Sequence, residues 1–174
     1  EIGKAIGAHV IATVSNQRKA DFCSEVGADE TLIYPENIDR KAQKELSAKI
    51  KNLSGTNGID VVYDAVGGNY AEPFIRTLGW NGRFLVVGFP AGIPSIPLNL
   101  ALLKSCQIIG VFWGAFTKRF PQKHQSNLEH LFKLYLKGRV KPRITAAFDL
   151  SDAGRAIEFI SSRKALGKVV IDIS

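Results

Sequence analysis

The sequence predicts an α/β fold in which parallel strands form an open, doubly wound sheet covered by helices. Two apolar runs, Ile59–Asp64 and Arg83–Val87, carry branched residues that favour extended backbone. Near-continuous apolar runs of this kind are typical of parallel strands buried on both faces. The glycines that follow them, Gly67, Gly68 and Gly88, favour close approach of a ligand beyond the carboxyl ends of the strands.

Strand and helix patterns alternate along the first half of the chain. The predicted strands are His9–Val14, Thr31–Tyr34, Ile59–Asp64 and Arg83–Val87, and the predicted helices are Gln17–Val26, a segment capped by Asp39 and ended by Gly55, and Tyr70–Leu78. Asn81–Gly82 is a predicted turn before the last of these strands. This alternation indicates parallel strands joined by right-handed helical crossovers.

The second half of the chain continues with shorter elements. The predicted strands are Gln107–Phe112, Ile144–Phe148 and Lys168–Ile173, and a helix is predicted over Leu98–Lys104. A second helix has Leu128, Leu131, Phe132 and Tyr135 on one face. A third helix, capped by Ser151, has Ala153, Ala156, Ile157 and Ile160 on one face. Both stripes recur at i, i+3, i+4 and i+7, which predicts amphipathic helices.

Composition excludes several classes of function. No apolar stretch is long enough to cross a bilayer, so we expect no membrane partner. The net charge of +7 comes from scattered basic residues without a recognised binding module, which does not favour nucleic acid. Cys23 and Cys106 lie far apart in apolar surroundings. We interpret them as buried thiols of a reducing, cytoplasmic compartment.

The segment after the first predicted strand is the most informative candidate site. Dinucleotide-binding folds that take NAD place a carboxylate there, whereas this chain has Ser15, Arg18 and Lys19. A hydroxyl, helix N–H groups and two cations suit a phosphate. A polar loop that faces water explains the same residues equally well, and the residues alone leave both interpretations open.

Other candidate chemistry is weaker. The histidines His9, His124 and His130 have no ligand partner at metal spacing, and no nucleophile motif is present. We therefore expect neither a metal nor a catalytic side chain. Phe89, Phe112 and Trp113, at predicted strand ends, suit either an apolar pocket for a flat ring or core packing.

The beginning of the sequence has the pattern of a helix end. Glu1–Ala8 resembles the last turns of a helix that stops at Gly7, and the chain has no methionine. We expect the chain to be a fragment of a longer protein.

Several motifs in order resemble the medium-chain dehydrogenase/reductase superfamily. They are His9–Ser15, Val26–Asp29, Asp60–Gly68, Gly82–Phe89 and Gly167–Ile171, while Ile96–Asn99 and Val111–Gly114 resemble the zinc-free, NADPH-dependent quinone oxidoreductases related to zeta-crystallin. The resemblance implies a carboxyl-terminal fragment with an incomplete, doubly wound Rossmann-type dinucleotide-binding domain over residues 1–116. This domain would lack its first strand and its glycine-rich phosphate loop. Residues 117–174 would be a carboxyl-terminal segment that returns to a GroES-like catalytic domain.

The resemblance also implies residue roles. Ser15, Lys19, Tyr34 and Arg163 match positions at the adenosine 2′-phosphate of NADPH, Val66 and Gly67 match the turn beside the cofactor ribose, and Gly88, Phe89, Phe112, Trp113 and Gly114 match strand ends beside the nicotinamide. Hydride would pass directly to a quinone or conjugated carbonyl, with no protein nucleophile. An enoyl or alkenal reductase, or a non-catalytic nucleotide-binding protein, is the alternative. Pairing of the edge strand Gln107–Phe112 would give a homodimer.

Overall fold

The computed structural model describes residues 1–173. The helices are α1 Ile2–Ala5, α2 Gln17–Glu25, α3 Arg40–Ser54, α4 Ala71–Ile75, α5 Asn99–Lys104, α6 Trp113–Arg119, α7 Pro121–Leu136 and α8 Ala153–Ser161. The strands are β1 Ile11–Val14, β2 Glu30–Ile33, β3 Ile59–Asp64, β4 Leu78–Val86, β5 Gln107–Gly110, β6 Ile144–Asp149 and β7 Lys168–Asp172. This mixed α/β architecture confirms the predicted fold class.

The chain divides into two compact units, which are described separately. Unit 1 consists of residues 1–12, residues 17–31 and the chain from residue 126 onward. Unit 2 consists of residues 13–16 and 32–125. The division predicted after residue 116 stays a prediction.

The sheet of unit 2 has the strand order β3–β4–β5, and both pairs are parallel. The register of β3 on β4 shifts between Ile59, opposite Leu78, and Val61, opposite Arg83. Asn81 lies in this shift with a φ of +59°. The turn predicted at Asn81–Gly82 is therefore an irregularity within β4 and does not precede it.

The core of unit 2 lies on one face of this sheet. Phe84 of β4 is buried together with Ala71 and Ile75 of α4, Leu78, and Leu100 of α5. Complete burial of a phenylalanine, leucine or isoleucine side chain contributes about 1.5–3 kcal/mol by removing apolar surface from water. The helices α4 and α5 are thereby held against β4, which fixes the segments that leave the sheet.

The opposite face of the sheet contradicts the prediction of strands buried on both faces. Val61 and Tyr63 are 42% and 69% exposed. Because side chains alternate along a strand, both point away from the face that carries Val62 and Phe84. The helices α4 and α5 cover only the face that carries Val62 and Phe84, so Val61 and Tyr63 are exposed in this chain.

The strands β1 and β2 form a separate sheet. The carbonyl of Val10 accepts hydrogen bonds from the N–H groups of Asp29 and Glu30, at 3.0 and 3.2 Å. At the other end, the carbonyl of Val14 accepts from the N–H of Tyr34 at 3.0 Å. Both strands therefore run in the same direction, as predicted. The structure leaves β1 half-buried, whereas the sequence predicts a buried strand.

Unit 1 contains a charged cluster around Asp29. Its carboxylate accepts hydrogen bonds from Lys4 Nζ at 2.7 and 2.9 Å and from the N–H of Val10 at 2.7 Å. His9 Nδ1 lies 3.6 Å away. The ammonium of Lys4 is the main reason that the pKa of Asp29 lies below its usual range.

The other sheet of unit 1 pairs β6 with β7 in parallel, and α8 packs against both strands. Phe148 and Phe159 bring their rings to 5.9 Å across this contact. Ala156 is buried, but Ile157 and Ile160 are 68% and 54% exposed, so only part of the predicted stripe packs. Ser151 is not the cap of this helix, because a short 3₁₀ turn places Asp152 at that position.

Three further element predictions need correction. The strand β5 ends at Gly110, earlier than the predicted end at Phe112, because Phe112 is already the N-cap residue of α6. Leu78 belongs to β4 and not to the preceding helix. The helix α7 ends near Gly138 as predicted, yet Phe132 and Tyr135 of its stripe are exposed.

Candidate functional site

The carboxyl ends of β3, β4 and β5 meet at one edge of the sheet in unit 2. The N–H of Val87 donates to the carbonyl of Asp64, and the N–H of Val111 donates to the carbonyl of Val86, both at 2.9 Å. These two bonds continue the parallel ladders just past the strands. The segments that begin at residues 65, 87 and 111 therefore start side by side.

The turn after β3 and the segment after β4 are in direct contact. The N–H of Ala91 donates to the carbonyl of Val66 at 2.9 Å. Gly67 has a φ of +72°, and a Cβ there would lie 3.0 Å from the Phe89 ring and 2.7 Å from the carbonyl oxygen of Gly92. Only glycine combines this conformation with so close an approach. Val66, Gly67, Gly88 and Phe89 are thus brought together, as the sequence predicts.

The neighbouring glycine contacts protein main chain as well. The N–H of Gly68 donates to the carbonyl of Gly92 at 2.6 Å. A Cβ on Gly68 would collide with the carbonyl of Ala91. The sequence predicts that these glycines admit a ligand to the main chain. In the structure the loop 89–92 lies against Gly67 and Gly68, and the approach of a ligand to their main chain stays a prediction.

Asp64, the last residue of β3, is a functional candidate that sequence reasoning missed. One carboxylate oxygen accepts hydrogen bonds from the N–H groups of Val66 and Gly67, at 2.9 and 3.0 Å. The residue is only 5% exposed, and its second oxygen has no hydrogen-bond partner among residues 1–173. An aspartate followed by a glycine turn is a signal for this side-chain-to-backbone motif, and the sequence carries that signal.

Aromatic side chains follow the other two strands at this edge. Phe89 is 43% exposed, Phe112 80% and Trp113 49%. The ring of Trp113 stacks on Phe116 at 5.5 Å and meets His124 edge-on at 5.2 Å. These exposures favour the interpretation of an apolar surface for a flat ring over core packing.

Gly114 lies in the first turn of α6, and its carbonyl accepts a hydrogen bond from the Thr117 hydroxyl at 3.1 Å. The nearest atom to a Cβ built on Gly114 would be a ring carbon of Phe112, at 3.8 Å. Space around Gly114 therefore remains open beside the exposed ring of Phe112.

The ends of β1 and β2 form a second candidate region. The bond between Tyr34 N–H and the Val14 carbonyl places Ser15 beside Tyr34 at two adjacent strand ends. The ring of Tyr34 lies 4.8 Å from that of Tyr70, whose hydroxyl donates to the carbonyl of Pro35 at 2.8 Å. Ser15 and Tyr34 are thus brought together and half-buried.

A pocket of about 270 Å³ adjoins this region. It is lined by residues of β2 and α3 and by the segment between them, namely Ile33, Tyr34, Pro35, Ala42, Glu45, Leu46 and Lys49. Its lining joins apolar side chains to one cation and one carboxylate.

Lys19 and Arg163, the two predicted phosphate contacts with positive charge, belong to unit 1. Lys19 is half-buried on α2. One turn further along, burial raises the pKa of Cys23, and the positive charge of Lys19 opposes that rise. Arg163 is exposed just after α8 and has a φ of +59°, with its N–H bonded to the carbonyl of Ile160 at 3.0 Å. Their part in phosphate binding stays a prediction.

No group of three His, Cys, Asp or Glu side chains within residues 1–173 is arranged to hold a metal ion. Cys23 and Cys106 are both free thiols. Each is half-buried, whereas the sequence predicts that both are buried. None of the helices described is both long and apolar enough to span a bilayer.

Known proteins resemble this chain in sequence and in fold. The zinc-binding dehydrogenase family matches residues 1–128. A quinone oxidoreductase-like protein 2 homolog of Nematostella vectensis is 34% identical over 95% of this chain and 44% of its own length. Prostaglandin reductase-3 of Mus musculus is 25% identical over 99% of this chain and 48% of its own length. The chain therefore spans about half the length of these curated relatives.

The fold comparison agrees with the sequence comparison. A mycobacterial protein solved as a complex with NADPH superimposes with a TM-score of 0.84 and 26% identity, over 97% of this chain and 50% of that one. The parallel sheets, the glycine turn after β3 and the family match over most of the chain agree with one another. The chain belongs to the zinc-binding dehydrogenase family, within the medium-chain dehydrogenase/reductase superfamily.

Proposed function

We propose that the full-length protein is a cytoplasmic, NADPH-dependent oxidoreductase that passes hydride to a quinone or a conjugated carbonyl. The observation that carries the proposal is the edge of unit 2, where the turn at Val66–Gly67 contacts Phe89 and the neighbouring strand β5 is followed by the exposed ring of Phe112. An apolar surface beside a glycine turn suits the nicotinamide half of a dinucleotide. The similar mycobacterial protein that was solved with NADPH and the quinone oxidoreductase-like relatives support the same assignment.

The types of residue at the proposed positions suit this cofactor at both of its ends. Phe89, Phe112 and Trp113 would cover the flat nicotinamide ring and exclude water, while the main chain at Val66–Gly67 would face the ribose. At the other end, the hydroxyls of Ser15 and Tyr34 would bind the adenosine 2′-phosphate. The cations Lys19 and Arg163 would neutralise that phosphate. Bound NADPH supplies the hydride, so the protein contributes positioning and needs no nucleophile.

A related enoyl or alkenal reductase is the second candidate. The similarity to prostaglandin reductase-3 favours it, and the same cofactor residues would serve both enzymes. A third candidate is a nucleotide-binding protein without catalytic activity, which would bind NADPH and reduce nothing.

The test is NADPH oxidation by the purified full-length protein, followed by absorbance, with a quinone in one series and an alkenal in another. We expect oxidation with the quinone to be faster. Faster oxidation with the alkenal would favour the second candidate, and NADPH binding without oxidation would favour the third. Absence of NADPH binding would contradict the proposal altogether.

We further propose that the reaction needs no zinc, although the family is named for zinc binding. The resemblance of Ile96–Asn99 and Val111–Gly114 to zinc-free quinone oxidoreductases supports this. Metal analysis of the active full-length enzyme, before and after treatment with a chelator, is the check. Activity that falls on chelation and returns with zinc would reject zinc independence.

We also propose a homodimer in which two copies of β5 pair across a twofold axis. β5 is an edge of its sheet, and an uncovered edge tends to pair. The N–H of Val111 donates toward β4, and main-chain N–H groups point to opposite sides of a strand at successive residues. The N–H of Ile109 therefore also points toward β4, and the N–H of Ile108 points toward the open edge. Ile108→Pro should therefore shift the full-length protein toward monomer in sedimentation. An unchanged dimer would reject this interface.

A further inference from the structure

We propose that Asp64 is a positioning residue that holds the turn Val66–Gly67 in place for the nicotinamide half of the cofactor. The inference rests on the proposed function and adds to it a residue that does not itself touch the cofactor. It comes from the hydrogen bonds around this carboxylate and from its burial.

The carboxylate links a rigid strand to the turn. The carbonyl of Asp64 accepts the N–H of Val87 at 2.9 Å, so the residue is fixed to the central strand of its sheet. Its side chain in turn accepts the N–H groups of Val66 and Gly67, at 2.9 and 3.0 Å. Bonds to an ionised acceptor are about twice as strong as neutral ones. The position of the turn is therefore set by the sheet.

Stability alone does not account for an aspartate here. The residue is 5% exposed, and its second carboxylate oxygen is buried without a partner among residues 1–173. A buried polar atom without a hydrogen-bond partner is unfavourable, and an apolar side chain would avoid this. Unfavourable groups of this kind are concentrated at functional sites, where they hold a required geometry.

The turn lies on the nicotinamide side of the proposed site. A Cβ on Gly67 would lie 3.0 Å from the ring of Phe89, which follows the next strand. Loss of the carboxylate should loosen this side and leave the adenosine end, at Ser15 and Tyr34, unchanged. Cofactors that contain a nicotinamide should therefore lose affinity, whereas the adenosine half alone should not.

The experiment measures dissociation constants of the full-length protein for NADPH and for adenosine 2′,5′-bisphosphate, which lacks the nicotinamide. Asp64→Ala should weaken NADPH about tenfold or more, since it removes two charge-assisted bonds, and should leave the bisphosphate unchanged. Asp64→Asn keeps a neutral acceptor and should weaken NADPH about threefold. If the alanine variant does not fold, the asparagine variant tests the inference by the same selective loss of NADPH affinity.

Thr77→Val is the matched control. Thr77 is 1% exposed, and its hydroxyl donates to the carbonyl of Phe74 at 2.7 Å, near the opposite end of the sheet from Asp64. It should change neither constant. If Asp64 variants weaken both ligands or neither, while wild type binds both, the inference is wrong and the proposed function stands. If wild type binds neither ligand, the proposed function is wrong and the inference is overturned with it.

Discussion

The main-chain N–H of Gly68 donates to the carbonyl of Gly92 at 2.6 Å, and this bond joins the turn after β3 to the loop after β4. The φ of Gly68 is +58°, a conformation that costs other residues about 1–3 kcal/mol. A side chain at this position would also collide with the carbonyl of Ala91. Two separate effects therefore require glycine here.

We expect Gly68→Ala to lower the free energy of unfolding of the full-length protein by about 2–4 kcal/mol, the strained φ and the collision together. Gly7→Ala is the control, because Gly7 has a φ of +88° at the end of a helix and no atom within 4 Å of an added Cβ. It should show the conformational effect alone. Urea unfolding of the two variants measures the difference, and equal losses would mean that the collision relaxes at no cost.

The beginning of α3 offers a second test of stability. The side chain of Asp39 accepts a hydrogen bond from the N–H of Ala42 at 2.8 Å. Asp39→Ala should lower the free energy of unfolding by about 0.5–2 kcal/mol, because an N–H of the first helical turn loses its partner. Asp39→Asn keeps an acceptor and should stay close to wild type. A similar loss of unfolding free energy in both variants would mean that the charge of Asp39, and not its capping hydrogen bond, stabilises the helix.

The cluster of Lys4, His9 and Asp29 predicts a pH dependence. Since Lys4 lowers the pKa of Asp29 in the folded state, the contribution of this carboxylate to stability is fully present above its usual pKa of about 3.9. It is lost as the pH falls through the lowered pKa. The difference in urea midpoint between wild type and Asp29→Asn should therefore be constant above about pH 5 and shrink below about pH 4. A difference that grows on acidification would contradict this assignment.

Several elements that depend on local chemistry were predictable from the sequence, although the cap at Ser151 and the turn at Asn81–Gly82 were not. Asp39 caps a helix by accepting a hydrogen bond from the N–H three residues further on, and Gly7 and Gly55 end helices because each has a positive φ. The exposure of Val61 and Tyr63 was not predictable, because it depends on which faces of the sheet the helices cover. A buried strand and a half-exposed strand can share one apolar pattern.

The candidate site was predictable only in part for a similar reason. Strand ends and the glycine turn place Val66, Gly67 and Phe89 together, as expected. The role of Asp64 was not predicted, because its hydrogen-bond partners are main-chain N–H groups, which every residue except proline carries. The neighbour of Gly68 also could not be inferred, since the loop 89–92 has no regular pattern.

The choice of cofactor is the sharpest test of the site residues. Lys19 and Arg163 are far apart in sequence, and both match positions at the adenosine 2′-phosphate that only NADPH carries. One hydrogen bond to a charged group contributes roughly 1.5–3 kcal/mol, so two cations should favour NADPH over NADH by about a hundredfold or more. Lys19→Ala and Arg163→Ala should each weaken the binding of NADPH and leave the binding of NADH nearly unchanged. Lys164→Ala is the matched control, because this exposed neighbour of Arg163 matches no phosphate contact and should alter neither constant. The measurement is the dissociation constant of each cofactor for the full-length wild type and the three variants. Equal binding of both cofactors by wild type, or a parallel loss of both in the Lys19 and Arg163 variants, would mean that these cations do not bind the 2′-phosphate.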